Sequence, residues 1–315
     1  MTAVHVTVWG RAAADAPSVV LIHGTLTWGT ACFERQRSLA DRYRLLVVDR
    51  RGYGSSPDIA HSDYAVDAAD IVELLGEGAH VVGHSYGGVV AMLAAGYRPQ
   101  AVRSLVPIEP AALRLAADDP TVAATLQRLR EAVASIPPDP SPAQYLRLSA
   151  EAMGVPMPEL TPDHLRAART AIRERPSWDA QVPVEPLASA TWPKLVITGS
   201  WDTASREYRA WVGEAMMACG RIVAERIGGT LVRVPGAAHE PHREQPAVVN
   251  AALRDIWDRA RTEASAGESW CQRTWNDDVY TTSRAGRPSR SRWFVCPKHL
   301  ATDTCRSGTH QLRVR

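Results

Sequence analysis

The 315-residue sequence predicts an α/β fold, a mostly parallel sheet with helices on both faces. Two observations carry that expectation. Short aliphatic runs alternate along the chain with segments whose apolar residues recur at helical spacing, the strand-helix-strand rhythm of a parallel sheet. Several runs, such as Leu45 to Val48 and Leu195 to Ile197, are apolar at every position, as burial on both faces of a sheet requires.

Seven runs read as strands: HVTVW (5 to 9), SVVLIH (18 to 23), RLLVVD (44 to 49), AHVVGH (79 to 84), VRSLVPI (102 to 108), KLVITG (194 to 199) and TLVRVP (230 to 235). Helical spacing marks 31 to 42, 63 to 76, 86 to 97, 204 to 219 and 246 to 260. The last of these opens at Pro246, suited to a first helical turn, and sets Val248, Val249, Leu253, Ile256 and Trp257 three and four apart, which predicts packing on the sheet. Between 110 and 192 the rhythm breaks. Prolines recur there with helical patches but no strand, and Leu126, Leu129, Val133, Tyr145, Leu146, Leu148, Leu165 and Ile172 are too apolar for a disordered loop. The expectation is a helical cap at 110–192 inserted between two core segments, 1–109 and 193–260.

From 261 the composition turns to Arg, Ser and Thr with little periodicity, as expected of a flexible C-terminal extension. The net charge of +2 is uneven: residues 261 to 315 hold ten Arg and Lys against five Asp and Glu, leaving 26 against 29 in residues 1 to 260. The body therefore has no basic bias for nucleic acid. Cys271, Cys296, His299, Cys305 and His310 are zinc-ligand types, but their spacing fits no familiar finger, and no metal is expected. No stretch approaches the roughly 18 unbroken apolar residues of a membrane span. The N-terminal MTAVHVTVWGR lacks the pattern of a secretory leader, so the cytoplasm is the expected compartment. Five cysteines, with Cys32 and Cys219 far apart, argue against a disulfide framework.

Chemistry concentrates at VVGHSYGG, 81 to 88. A serine hydroxyl is a weak nucleophile that must be presented at a fixed point and helped by a base. Ser85 lies between a strand and a helix in a Gly-x-Ser-x-Gly pattern, where a sharp turn excludes side chains at 83 and 87. The helix after the turn aims its N-terminal amides at the same point, so the Tyr86 amide is one candidate donor to an oxyanion.

Three further segments join it. LIHGTLTWG ends an early strand, and its backbone can supply a second oxyanion donor, from Thr25 or, second, Leu26; His23 reads as a loop-orienting side chain. In LVITGSWD, Asp202 follows a strand and is placed either to orient a histidine or to cap a helix. In VRVPGAAHEPHREQP, His239 is the candidate general base, with His242 as its competitor.

HGT, VVDRRGYGSS, GHSYGG, GSWD and GAAHEPHREQP resemble, in sequence and order, the landmarks of the α/β-hydrolase-fold superfamily over residues 1 to about 260. The resemblance implies an eight-stranded, mostly parallel sheet, a helical cap, and a Ser85, Asp202, His239 triad. Serine at 85 disfavours the aspartate-nucleophile branches. Some members carry the acid after the sixth strand, which makes Glu109 in VPIEPAA the alternative acid. DRRGYGSS (49 to 56) recurs in the family as a structural turn, and no chemistry is assigned to it.

The expected activity is serine hydrolysis of an ester, lactone or thioester of a small to medium substrate through an acyl-enzyme, with no organic cofactor. A cofactor-free lyase or peroxidase on the same triad, or a ligand-binding protein without turnover, are the alternatives. The expected partner is a small-molecule substrate, with no nucleic acid and no membrane; oligomeric state is left unassigned. Trp28, Met153, Met157, Trp178 and Tyr86 are candidate pocket residues, with His23 beside them.

Overall fold

A computed structural model describes residues 3–10 and 16–279, with side chains described as far as residue 262. The aliphatic runs form β1 (Val6–Trp9), β2 (Ser18–Ile22), β3 (Arg44–Val48), β4 (Ala79–His84), β5 (Val102–Ile108), β6 (Leu195–Gly199) and β7 (Thr230–Val234). They make one sheet in the order β1-β3-β2-β4-β5-β6-β7, parallel except for β1 against β3. The described residues thus hold seven strands rather than the expected eight. The reason is local: among the described residues a single β-rich run, β1, precedes β2.

Successive strand residues feed opposite faces. Val20, Ile22, Leu46, Val48 and Val81 join one core layer, while Val19, Leu21, Leu45, Val47 and Val82 join the other. The first layer is covered by α2 (Tyr64–Leu74), α3 (Tyr86–Tyr97) and α9 (Glu214–Ile227), and the second by α1 (Gly29–Phe33) and the opening turns of α11 (Pro246–Val279). Val249, Leu253, Ile256 and Trp257 are buried there as the spacing predicts, whereas Val248 faces outward. Helix α3 is buried from Tyr86 to Ala95, which is why its sequence is apolar all round.

The 110–192 segment contributes α4 (Pro120–Ser135), α5 (Pro142–Met153), α6 (Pro162–Ala171) and α7 (Val184–Ser189), all between β5 and β6. Its prolines are starts rather than interruptions. Pro120, Pro142 and Pro162 each open a helix behind a capping Asp119, Ser141 or Thr161, whose side chain accepts a backbone N–H of the first turn. Two short helices complete the order, α8 (Arg206–Tyr208) running on into α9, and α10 (Pro241–Glu244) ahead of α11. Met1–Arg261 forms one compact unit. Residues 261 to 279 of the extension, expected to be flexible, continue helix α11, while the flexibility expected beyond them and the extension's cysteines and histidines lie outside the described residues, except Cys271, whose side chain is likewise outside them. No described helix is long and apolar enough to cross a membrane.

Candidate active site

Strand β4 delivers Ser85 to the top of the sheet. Its backbone sits at φ 55°, ψ −116°, a strained corner between β4 and α3. Two glycines make the corner possible: a Cβ on Gly83 would run into the Gly87 carbonyl, and one on Gly87 into the carbonyls of Ile22 and His23. The corner is tied down by the Ser85 amide, which donates to the Ile108 carbonyl over 2.9 Å.

The loop after β7 brings His239 to the serine, with Nε2 3.0 Å from Ser85 Oγ. Its other nitrogen, Nδ1, faces Glu109 Oε2 at 3.6 Å. Among the described residues neither of those two buried atoms has another polar partner, so each is the only group available to the other. Glu109 follows β5 directly and is wholly buried, with φ 45°. Its second oxygen, Oε1, accepts from the Gly199 amide at 2.6 Å and from Trp201 Nε1 at 3.2 Å. A carboxylate fixed by two donors from the end of β6 presents its free oxygen to the imidazole.

Asp202 does not reach that imidazole. It lies at the surface, where Oδ1 accepts from the Ser200 hydroxyl and from the Gly236 amide at 3.2 Å, and the Ser200 hydroxyl holds its carboxyl below the usual range. The cause is Trp201. With φ 58° and its amide on the Ala237 carbonyl, it turns its indole into the core beneath His239, ring centroids 5.9 Å apart, and the next residue is carried outward. The acid expected after β6 is therefore replaced in space by the alternative after β5.

His242, the competing base, is fully buried and faces Cys32 Sγ through Nε2 at 3.4 Å. It packs at a tilt against His84, whose ring centroid lies 4.4 Å away. His84 Nε2 donates to the His239 carbonyl at 2.8 Å, which braces the loop that carries His239. Cys32, His84 and His242 form the one grouping among the described residues whose donor atoms come close enough to share an ion. Burial leaves all three neutral, pushing the Cys32 thiol up to about 12 and both imidazoles well down.

A cavity of about 670 Å³ opens over Ser85 and His239. Thr25, Leu26, Trp28 and Met153 line it. His23, Met157, Trp178 and the Tyr86 ring do not. His23 is buried, donating from Nδ1 to the Gly24 carbonyl at 2.7 Å and accepting the Arg50 amide at Nε2 at 3.0 Å. Met157 points outward, Trp178 packs against the core, and the Tyr86 ring lies under the site, stacked on the Arg50 guanidinium. Met157, Trp178 and Tyr86 were expected at the pocket on apolar character alone, which core and surface positions share. Leu146, Ala150 and Tyr208 line it unforeseen, since short helical segments give no sign of which face looks toward a site. As first residue of α3, Tyr86 offers one of the helix's unpaired amides beside Ser85.

This arrangement is that of an α/β hydrolase. The sequence profile described as "Alpha/beta hydrolase family" matches residues 19–252, and the chain belongs to that family. Among curated relatives, the pimeloyl-[acyl-carrier protein] methyl ester esterase of Aeromonas hydrophila is 32% identical over 107 residues, 33% of this chain and 42% of that enzyme. The 2-(acetamidomethylene)succinate hydrolase of Mesorhizobium japonicum is 37% identical over 105 residues, 31% of this chain and 37% of that enzyme. The matched stretch thus spans less than half of either relative. MenH from S. aureus superposes with a TM-score of 0.60 at 13% identity, covering 82% of this chain and 99% of that one, a likeness of fold.

Proposed function

We propose that the protein is a serine hydrolase that opens an ester, lactone or thioester through an acyl-enzyme. The observation that carries the reading is the 3.0 Å contact of Ser85 Oγ with His239 Nε2, backed by Glu109 on the opposite nitrogen. His239 takes the serine proton as Oγ attacks the carbonyl carbon, and the imidazolium that forms draws Nδ1–H onto Glu109 Oε2. The Tyr86 amide and one from Thr25 or Leu26 meet the developing oxyanion. His239 returns the proton to the leaving alcohol or thiol. Water then repeats the attack, giving up its proton to His239 and releasing the acid and the serine hydroxyl.

The cavity supports a small to medium substrate without a carboxylate. Its basic side chains are already engaged: Arg243 is held by both oxygens of Glu240 at 2.9 and 3.0 Å, and His164 Nδ1 meets Thr161 Oγ1 at 2.9 Å. Glu240 and Glu244 also line the cavity and would repel an anion. Two curated relatives act, by their names, on a methyl ester and on an amide-bearing succinate, which keeps carbonyl hydrolysis as the common ground.

The test is a fluorophosphonate probe and p-nitrophenyl esters of increasing chain length, applied to the protein and to Ser85→Ala. Labelling and turnover that vanish in the variant are expected, with a loss of about 10⁴-fold or more in rate. A protein that neither labels nor turns over would leave a ligand-binding role instead.

A further inference from the structure

The turn DRRGYGSS has no part in the relay above, yet Arg50 within it is 1% exposed and forms the centre of a buried network. Its guanidinium donates to two kinds of partner, backbone carbonyls and carboxylates. Nε reaches the His23 carbonyl at 3.2 Å and Nη2 the Gly24 carbonyl at 3.1 Å, both on the segment that precedes Thr25. Nη1 pairs with Asp67 at 2.8 Å and Nη2 with Glu174 at 2.8 Å. The ring of Tyr86, whose backbone flanks Ser85 on the other side, lies 4.1 Å from the guanidinium carbon. One cation thus touches both chain segments that supply oxyanion donors.

Glu174 completes the network from the helical insertion. It lies just beyond α6, fixed by a bridge to Ser62 and by the Arg175 amide on the Ser62 carbonyl at 2.8 Å. Oε1 takes Arg50 and the Tyr53 hydroxyl, both at 2.8 Å, while Oε2 accepts the Thr25 hydroxyl at 2.5 Å. The segment it grips needs gripping. Leu26 holds φ 63°, a conformation that a leucine leaves unless its surroundings impose it. Oxyanion donors lower a barrier only when they are already in place as charge develops.

We infer that Glu174 is a positioning residue for the oxyanion-binding segment, holding it through the Thr25 hydroxyl and the Arg50 guanidinium and so making acyl transfer depend on the seating of the helical insertion. The inference rests on the acyl-transfer reading for its effect on rate, but the clamp itself is measurable without turnover. Two variants separate its arms. Glu174→Gln keeps the shape and removes the charge; Thr25→Val keeps the shape and removes the hydroxyl, with Thr25→Ser as the conservative rescue.

Amide hydrogen exchange of peptides covering residues 23 to 28 is expected to quicken by about tenfold in Glu174→Gln and in Thr25→Val, and to stay near that of the unaltered protein in Thr25→Ser. With a p-nitrophenyl ester as probe, kcat is expected to fall about 10- to 100-fold in the first two variants with KM within about twofold, and to recover in Thr25→Ser. Unchanged exchange in the folded variants, or a rise in KM at constant kcat, overturns the inference. Should Glu174→Gln fail to fold, as judged by circular dichroism, the Thr25 pair still decides. A protein without Ser85-dependent turnover would remove the acyl-transfer reading, while the exchange rates would decide the clamp by themselves.

Discussion

Glu109 and Asp202 present the same functional group on neighbouring strand ends, and only their surroundings separate them. Glu109 is wholly buried and receives two hydrogen bonds on one oxygen, leaving the other to His239; Asp202 is solvated and accepts from Ser200 on its own loop and from the Gly236 amide after β7. Removing the charge that faces an imidazole should cost rate without much loss of substrate binding. Glu109→Gln is therefore expected to lower kcat by about 10² to 10⁴. Asp202→Asn should stay within about threefold of the unaltered protein, because its carboxylate touches neither His239 nor Ser85. Steady-state kinetics on one p-nitrophenyl ester compares the two, and the opposite ranking would return the acid to Asp202. The candidate acid was legible as a pair of alternatives, each following a strand. What the sequence could not express was Trp201 turning inward.

The seven strands were read in place, and α2, α3 and the start of α11 nearly so, because aliphatic continuity and helical spacing are local signals, whereas the helices of 110–192 were read only as patches. β5 shows where local reading ends. The amides of Leu105 and Glu109 donate across to Pro193 and Ile197 of the β6 side, but Pro107 between them, pointing the same way, has no N–H to give. The β5–β6 ladder is accordingly sparse, with Ile108 opposite Ile197 and a lone bridge from Leu105 to Lys194. The gap lies just before Glu109, at the place where the chain must leave the sheet to carry its carboxylate across to β6. The corner at Ser85 is less forgiving than a cap. Gly83→Ala puts a methyl group into the Gly87 carbonyl and is expected to destabilise by about 3 kcal/mol or more, or to abolish folding. Ser141→Ala, which removes one cap bond at the start of α5, should cost only about 1 kcal/mol. Urea unfolding of both variants measures the difference, and equal midpoints would contradict it.

Among the described residues the folded protein buries four histidines as neutral rings. Burial lowers His23, His84 and His242 well below their ordinary value and His80 to about 3. Each binds its proton readily when unfolded and reluctantly when folded, so below the unfolded value, near pH 6.5, the unfolded chain holds more protons and stability falls as pH falls. Asp67 works the other way. Burial outweighs its bond to Arg50 and raises it to about 6, so the folded state takes up that proton first and offsets part of the loss between about pH 6 and 4. The net expectation is stability that is full above about pH 7 and declines by some three to four protons' worth of slope below about pH 6. Denaturant titrations at several pH values measure that slope, and a flat profile from pH 7 to 5 would mean that these rings are protonated in place.

By itself the sequence determined the α/β class, the helical insertion, the strained serine between two glycines and the histidine that meets it, because each depends on residues close together along the chain. Tertiary structure alone decided which carboxylate faces that histidine, which side chains line the cavity, and that Arg50 and Glu174 join two distant segments beside Ser85. Those choices turn on how buried charges and rings are shared between strands far apart in order, and burial in a packed interior is a property that no short stretch of sequence carries.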